Sequence, residues 1–234
     1  MSDSEERLVS VENVAIFKGL SADRLARVAR RCDWRRYEPG EQIVHYQDNS
    51  NDVFFLVLGD ARVTIYSLEG RIVSFRELIA GDTFGEYPAF DGGPRSASVE
   101  ARSACQVASM PAAAFLEVLE SEPQVAQRLI RTLVKTIRGL TNRVYEFSTL
   151  AVSNRIQAEL LRLAKAVAVS NDGACISPAP THAEIASRVS THREAVTREL
   201  NHLSKTGIVE RRANSLLIKD IDRLATMVHD AVGE

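Results

Sequence analysis

Cysteine is scarce and scattered. Three thiols, Cys32, Cys105 and Cys175, stand far apart in 234 residues, with no CxxC pair among them. That spacing argues against a zinc knuckle, an iron–sulfur cluster or a disulfide framework. It fits three reduced, buried or half-buried thiols in an intracellular, cytoplasmic protein. Long apolar runs are missing as well. None approaches the ~18 residues of a membrane span, so no membrane partner is expected. The opening Met-Ser-Asp-Ser-Glu-Glu-Arg is acidic and polar, unlike a secretory signal. A strong charge of either sign is also lacking, since the formal net charge is -2. If nucleic acid is a partner, the basic groups must be concentrated locally. The five histidines are dispersed, without a nucleophile–base motif or metal spacing. This weighs against an enzyme acting on a nucleotide or phosphate ester, and names no catalytic residue and no metal ligand.

What is present is a core-forming composition, 45% hydrophobic and 26% charged, enough for one large domain or two modest ones. Residues 1–13 read as loosely ordered. Ser21 is a plausible cap for a helix over 22–31, with Leu25, Val28 and Ala29 as its buried stripe. From Trp34 the apolar period changes to about two. Strands are expected over 41–46, 52–58, 61–66, 72–78, 98–101 and 105–110, with turns at Gly59-Asp60, Glu69-Gly70 and Gly81-Asp82. Short strands spaced in this way indicate a sandwich or roll.

Inside that region lies Phe84-Gly-Glu-Tyr-Pro-Ala-Phe-Asp-Gly-Gly-Pro-Arg-Ser-Ala-Ser-Val99. Glycine and proline punctuate it, so it reads as a tight turn, one short helical turn and re-entry into a strand. Arg95 and backbone amides can surround an anion, and Glu86 can accept from a polyol. A sugar phosphate satisfies both. The alternative is a surface hairpin with an Arg–Glu pair.

Pro111 ends the β region. A short helix is expected over 112–119, and a long one from Pro123, at N1, to about Ala151. Ile130, Leu133, Ile137, Leu140, Val144 and Phe147 recur at steps of 3, 4, 3, 4 and 3. That is a heptad seam suited to a homodimer, or one amphipathic helix on its own roll. Residues 148–154 read as a hinge, with Ser153 or Asn154 capping the next helix. Farther on, Thr181-x-x-Glu184 reads as a capping box for 182–188. A second helix follows over 192–203, Gly207 sits near its C′, and two short strands flank Ala213-Asn214. Helix, tight turn, helix and β-ribbon describe a winged helix-turn-helix. Arg193, Glu194 and Arg198 fan across the exposed side of its second helix, and Ala195, Val196, Leu200 and Leu203 take the packing side.

On these residues the chain resembles the CRP/FNR family of bacterial transcription regulators, from about residue 14 to 220. The resemblance implies an α+β protein: an N-terminal cyclic-nucleotide-binding β-roll (jelly roll) over 1–121, a long dimerisation helix and hinge over 122–152, and a C-terminal winged helix-turn-helix over 153–234. Gly85-Glu86 and Arg95-Ser96 match the family's phosphate-binding cassette, with Tyr87 and Pro88 inside it. The Glu is implied to accept from the ribose 2′-hydroxyl, and the Arg and Ser to hold the cyclic phosphate. The gap of nine positions between Glu86 and Arg95 is one shorter than in the family's enterobacterial cyclic AMP receptor. Thr141 and Asn142 occupy the place of a base-reading Thr-Ser pair. Asn142 and Ser96 can relax the preference for adenine, so cyclic AMP is the implied effector and cyclic GMP the second. Arg193-Glu194-x-x-x-Arg198 matches the family's reader of a TGTGA-like half-site in double-stranded DNA, with Thr181, His192 and Thr197 as further contacts. RNA polymerase is an implied partner, without a motif that marks its contact surface. A same-fold regulator with another effector, or none, is the alternative.

Overall fold

A computed structural model of the chain describes residues 11–66, 72–170 and 172–232. The Glu69-Gly70 turn and most of the N-terminal segment expected to be loose lie outside them. The end of that segment is ordered: Val11 is buried, and its carbonyl accepts from the Val14 amide at 3.1 Å.

Two compact units make up the chain, one up to Thr136 and one from Ile137 onward. In the first, a single 3-10 turn (Ala15–Phe17) and α1 (Ala22–Arg30) precede eight strands. These are β1 (Asp33–Tyr37), β2 (Gln42–Val44), β3 (Val53–Leu58), β4 (Asp60–Tyr66), β5 (Ile72–Ile79), β6 (Thr83–Phe84), β7 (Ser98–Ala101) and β8 (Cys105–Met110). They form two antiparallel sheets, ordered β1-β8-β3-β6 and β2-β7-β4-β5. Strand β3 shows why its sequence is an almost unbroken apolar run. Phe54 and Leu56 enter the core shared with the second sheet, together with Val99, Ala101 and Leu78. Val53 and Phe55 face the other way, onto a core built with Phe17, Leu25, Val28, Phe115 and Val125. A strand buried on both faces has no polar side to alternate with. Leu25, Val28 and Ala29 form the buried stripe of α1, as expected, although the Ser21 side chain makes no capping bond.

A short helix, α2 (Tyr87–Asp91), joins β6 to the run before β7. Two more helices follow, α3 (Ala112–Ser121) and α4 (Pro123–Thr149). At 27 residues α4 is about 40 Å long. Its buried residues are Val125 and Leu129, and Leu133 packs partly on the same core. The remaining seam residues are exposed: Ile130, Ile137, Leu140, Val144 and Phe147. Leu133 therefore belongs to the roll's own core more than to the seam.

The second unit contains α5 (Val152–Lys165), β9 (Val169–Ser170), β10 (Gly173–Ile176), α6 (His182–Arg188), α7 (Arg193–Lys205), β11 (Val209–Arg212), β12 (Ser215–Ile218) and α8 (Ile221–Val232). Its sheet runs β11-β12-β10-β9. Helix α5 begins earlier than the sequence suggested. Extended Ala151 is its N-cap, and Ser153 instead hydrogen-bonds Asn154 at 3.0 Å inside the first turn. Cys175 also departs from expectation, being exposed, whereas Cys32 and Cys105 are buried. At the centre of this unit Glu159 is a buried carboxylate bonded to Arg162 and, at 3.2 Å, to Arg188. Arg162 also reaches Glu146, near the end of α4, at 2.7 Å.

Candidate functional site

The segment after β6 turns on Gly85. Its φ of 72° is left-handed, and a Cβ there would stand 2.9 Å from both Arg95 Nη1 and the Phe54 ring. Only glycine meets both demands. Glu86 then occupies the N-cap position of α2 without a side-chain capping bond, Pro88 lies in the first turn, and Gly92 ends the helix in the left-handed region. The run returns to the sheet by backbone bonds to another segment: the Arg95 amide donates to the Asp48 carbonyl at 2.8 Å, and the Gln47 amide donates to the Arg95 carbonyl at 2.9 Å.

This path carries both charged side chains inward, so the surface-hairpin alternative fails. Arg95 is 2% exposed and Glu86 is 8% exposed. The Arg95 guanidinium donates through Nε to Ser50 Oγ at 3.0 Å, through Nη1 to the Gly85 carbonyl at 2.7 Å and through Nη2 to the Asp52 carbonyl at 2.9 Å. It lies over the Phe54 ring at 5.1 Å, and that ring stacks on Phe84. Every one of these partners is neutral. Among the described residues no carboxylate stands at ion-pair distance from Arg95. Burial lowers its pKa, partly opposed by the fields of Asp52, Asp48 and Glu86. Two N–H donors remain on the guanidinium after the three named bonds. Glu86 is in the opposite condition. No other described residue donates a hydrogen bond to its carboxylate, and burial raises its pKa against the weaker pull of Arg76 and Arg95. Partial burial likewise raises the pKa of the Tyr87 hydroxyl, with Glu86 adding to the effect. Among the described residues, the first unit thus holds a buried cation without a counter-ion and a buried acid to which no other residue donates, on one short loop. Ser96 and Tyr87 are exposed beside them, and Pro88 is buried.

Sequence reasoning did not identify Ser50, the Asp52 carbonyl or Arg76 as parts of this site. Ser50 lies in the polar turn Asp48-Asn-Ser-Asn-Asp52, which gave no separate signal. Thr141 and Asn142 lie in the second unit, exposed on α4. Thr141 Oγ1 bonds back to the Ile137 carbonyl at 3.0 Å. Thr141 falls on the exposed apolar face, four residues after Ile137 and three before Val144. Asn142 is turned by about 100° from it.

The helix-turn-helix forms as its sequence dictates. Thr181 and Glu184 cap each other: the Glu184 amide donates to Thr181 Oγ1 at 3.2 Å, and the Thr181 amide donates to Glu184 Oε2 at 2.8 Å. Helix α7 starts from His192 and buries Val196, Leu200 and Leu203. Its opposite face presents Arg193, Glu194 and Arg198, all exposed, with Thr197 half-buried. Strands β11 and β12 make the wing, pairing Arg211 with Leu216.

Comparison with known proteins follows this division. Residues 34–122 match the family described as cyclic nucleotide-binding domain, and residues 154–227 match the Crp-like helix-turn-helix domain. A CRP-like cAMP-activated global transcriptional regulator from Mycobacterium tuberculosis is 25% identical over 211 residues, covering 90% of this chain and 94% of the relative. The cAMP-activated global transcriptional regulator CRP of Salmonella typhimurium is 26% identical over 188 residues, covering 80% and 90%. In fold, a CooA mutant from Carboxydothermus hydrogenoformans superposes with a TM-score of 0.79 at 20% identity, covering 94% and 95%. The two matched domains, in this order and over this much of the chain, place it in the CRP/FNR family, whose members are transcription regulators and not enzymes.

Proposed function

We propose that the protein is a homodimeric, cytoplasmic transcription regulator whose affinity for double-stranded DNA is set by a cyclic nucleotide, cyclic AMP first and cyclic GMP second. The observation that carries this reading is Arg95, a buried guanidinium surrounded by neutral acceptors. Burying a charge without a partner is costly, and a cyclic phosphate supplies the missing anion. Arg95 and Ser96 hold the phosphate, and Glu86 accepts from the ribose 2′-hydroxyl. Gly85, Tyr87 and Pro88 shape the loop around them. Thr141 and Asn142 read the base, with Thr141 on the face of α4 that a second copy covers. Residues 1–121 form the sensing domain, 122–152 the dimer helix and hinge, and 153–234 the DNA-binding domain.

Arg193 and Arg198 donate to guanine O6 and N7, and Glu194 accepts from cytosine N4, within a TGTGA-like palindrome. Thr181, His192 and Thr197 add backbone contacts. Half-sites lie about 34–36 Å apart, one helical turn. Arg193→Ala should weaken binding by about 1–3 kcal/mol and relax discrimination at one guanine. An unchanged logo in a binding-site selection contradicts that role. RNA polymerase is the further partner such a regulator requires.

The deciding measurement is calorimetry with cyclic AMP and cyclic GMP, repeated with the palindrome present. Binding of either nucleotide at a single class of site supports the reading, and no heat with either refutes it. One observation favours a second reading, in which the cassette is a scaffold and the effector is different or absent: three protein acceptors already engage Arg95. In that case DNA binds with neither nucleotide present.

A further inference from the structure

We propose that His182 is a positioning residue of the DNA-reading surface, tying the wing arginine Arg211 to the recognition helix so that Arg211 is presented to a backbone phosphate. This rests on the DNA-binding reading above.

His182 is the first residue of α6, next to the Thr181 cap, and its imidazole is half-buried. Nε2 lies 2.9 Å from Arg211 Nη1, and Nδ1 lies 2.7 Å from Thr197 Oγ1. A guanidinium can only donate, so Nε2 must be the acceptor. The neutral ring then carries its proton on Nδ1 and donates to Thr197. The Thr197 hydroxyl passes its own hydrogen to the Arg193 carbonyl at 3.0 Å. Every donor in this chain faces an acceptor, from strand β11 to the first turn of α7. Burial, Arg211 and Arg193 all lower the imidazole pKa, which keeps the ring in the neutral form the chain requires.

The wing's other charges show why Arg211 is the one singled out. Arg212 bonds Glu210 at 3.1 Å, and Lys219 reaches the same carboxylate at 3.5 Å. Arg211 is exposed, and among the described residues no acid pairs with it. A free arginine on a surface strand would sample many rotamers. Held at one nitrogen by an uncharged imidazole, it keeps its full charge and its other donors for a phosphate oxygen. Thr197 and Arg193 share the chain, so the wing and the base-reading turn are set together.

The test is fluorescence anisotropy of the full-length protein, saturated with cyclic AMP, on a duplex carrying the TGTGA palindrome, over a salt series. Each phosphate contact contributes about 0.9 to the slope of log affinity against log salt. Arg211→Gln and His182→Leu should each reduce the steepness by roughly that amount per protomer, and the double variant should reduce it no further. His182→Gln should restore the slope, because its amide can accept from Arg211 and donate to Thr197. A His182→Leu protein that binds more weakly with the wild-type slope overturns the proposal, since that is what a merely structural role predicts. Nitrogen-15 spectra of the wild-type imidazole give a readout that does not depend on the leucine variant folding. The Nδ1–H tautomer is expected, and the Nε2–H tautomer overturns the proposal. Wild-type protein that binds no duplex even at low salt refutes the DNA-binding reading itself, and this inference with it. Binding with unaltered variant slopes refutes only the role of His182.

Discussion

At the residue scale the cassette is defined by two unmet needs, and each gives a prediction. Arg95→Leu should weaken cyclic nucleotide binding by roughly 2–5 kcal/mol, because the buried phosphate loses its charged partner. Calorimetry that returns the wild-type affinity would remove Arg95 from the site. Glu86 gives a pH dependence. Burial raises its pKa, so the folded protein holds a proton that the unfolded chain releases more readily. Its contribution to stability is therefore fully present below the ordinary carboxylate range and is lost as pH rises through the folded value. A ribose hydroxyl donates to the ionised carboxylate and favours it. Nucleotide binding should then expel a proton in mildly acid solution, and affinity should rise with pH across the same window. Calorimetry in buffers of different ionisation enthalpy measures that proton directly. Glu86→Gln should abolish it, and equal proton release from wild type and variant would exclude Glu86. Residue type and spacing single out Glu86 and Arg95 in the sequence, and the structure buries both on one loop. How Arg95 is held was not legible. Ser50 and the Asp52 carbonyl come from a distant turn, and only the antiparallel packing brings them to the guanidinium. His182 was missed for the same reason: its partners, Thr197 and Arg211, lie on two other elements.

At the element scale, what was legible followed burial. Strand β3 and the stripe of α1 could be read because their apolar pattern states which faces are covered. The start of α5 could not, because the good capping residues Ser153 and Asn154 follow a backbone that is already extended at Ala151. The capping box at Thr181 succeeded because both of its reciprocal bonds are local in sequence. Helix α4 shows the limit of a periodic pattern. The heptad did not separate Leu133, which packs on the roll, from its exposed neighbours. Ile137 and Val144, 62% and 65% exposed, are the stronger candidates for the dimer face. Fully burying such a side chain is worth about 1.5–3 kcal/mol, and a two-fold seam buries each one twice. Ile137→Asp should therefore cost about 3–6 kcal/mol of dimer stability, at least a hundredfold in dissociation constant. Sedimentation equilibrium measures that loss. A variant as dimeric as wild type would show that this face is not the seam.

At the scale of the whole molecule, the Glu86–Arg95 cassette and the helix-turn-helix belong to separate compact units, and α4 runs from one into the other. A nucleotide can raise DNA affinity only through its higher affinity for the DNA-competent arrangement. Linkage then fixes a symmetry that no single-site measurement reveals. If the nucleotide strengthens DNA binding by some factor, the palindrome must strengthen nucleotide binding by the same factor. Couplings of this kind run at about 5–150-fold, or roughly 1–3 kcal/mol. The prediction is measured by titrating DNA with and without saturating nucleotide, and nucleotide with and without saturating DNA. The two ratios should agree within error. Arg95→Leu should leave the nucleotide-free DNA affinity unchanged and remove the increase. If both ligands bind wild-type protein and neither alters the other, the two units are uncoupled and the cassette does not regulate the reader. If DNA affinity is high without nucleotide and Arg95→Leu leaves it high, the protein is a constitutive member of its family.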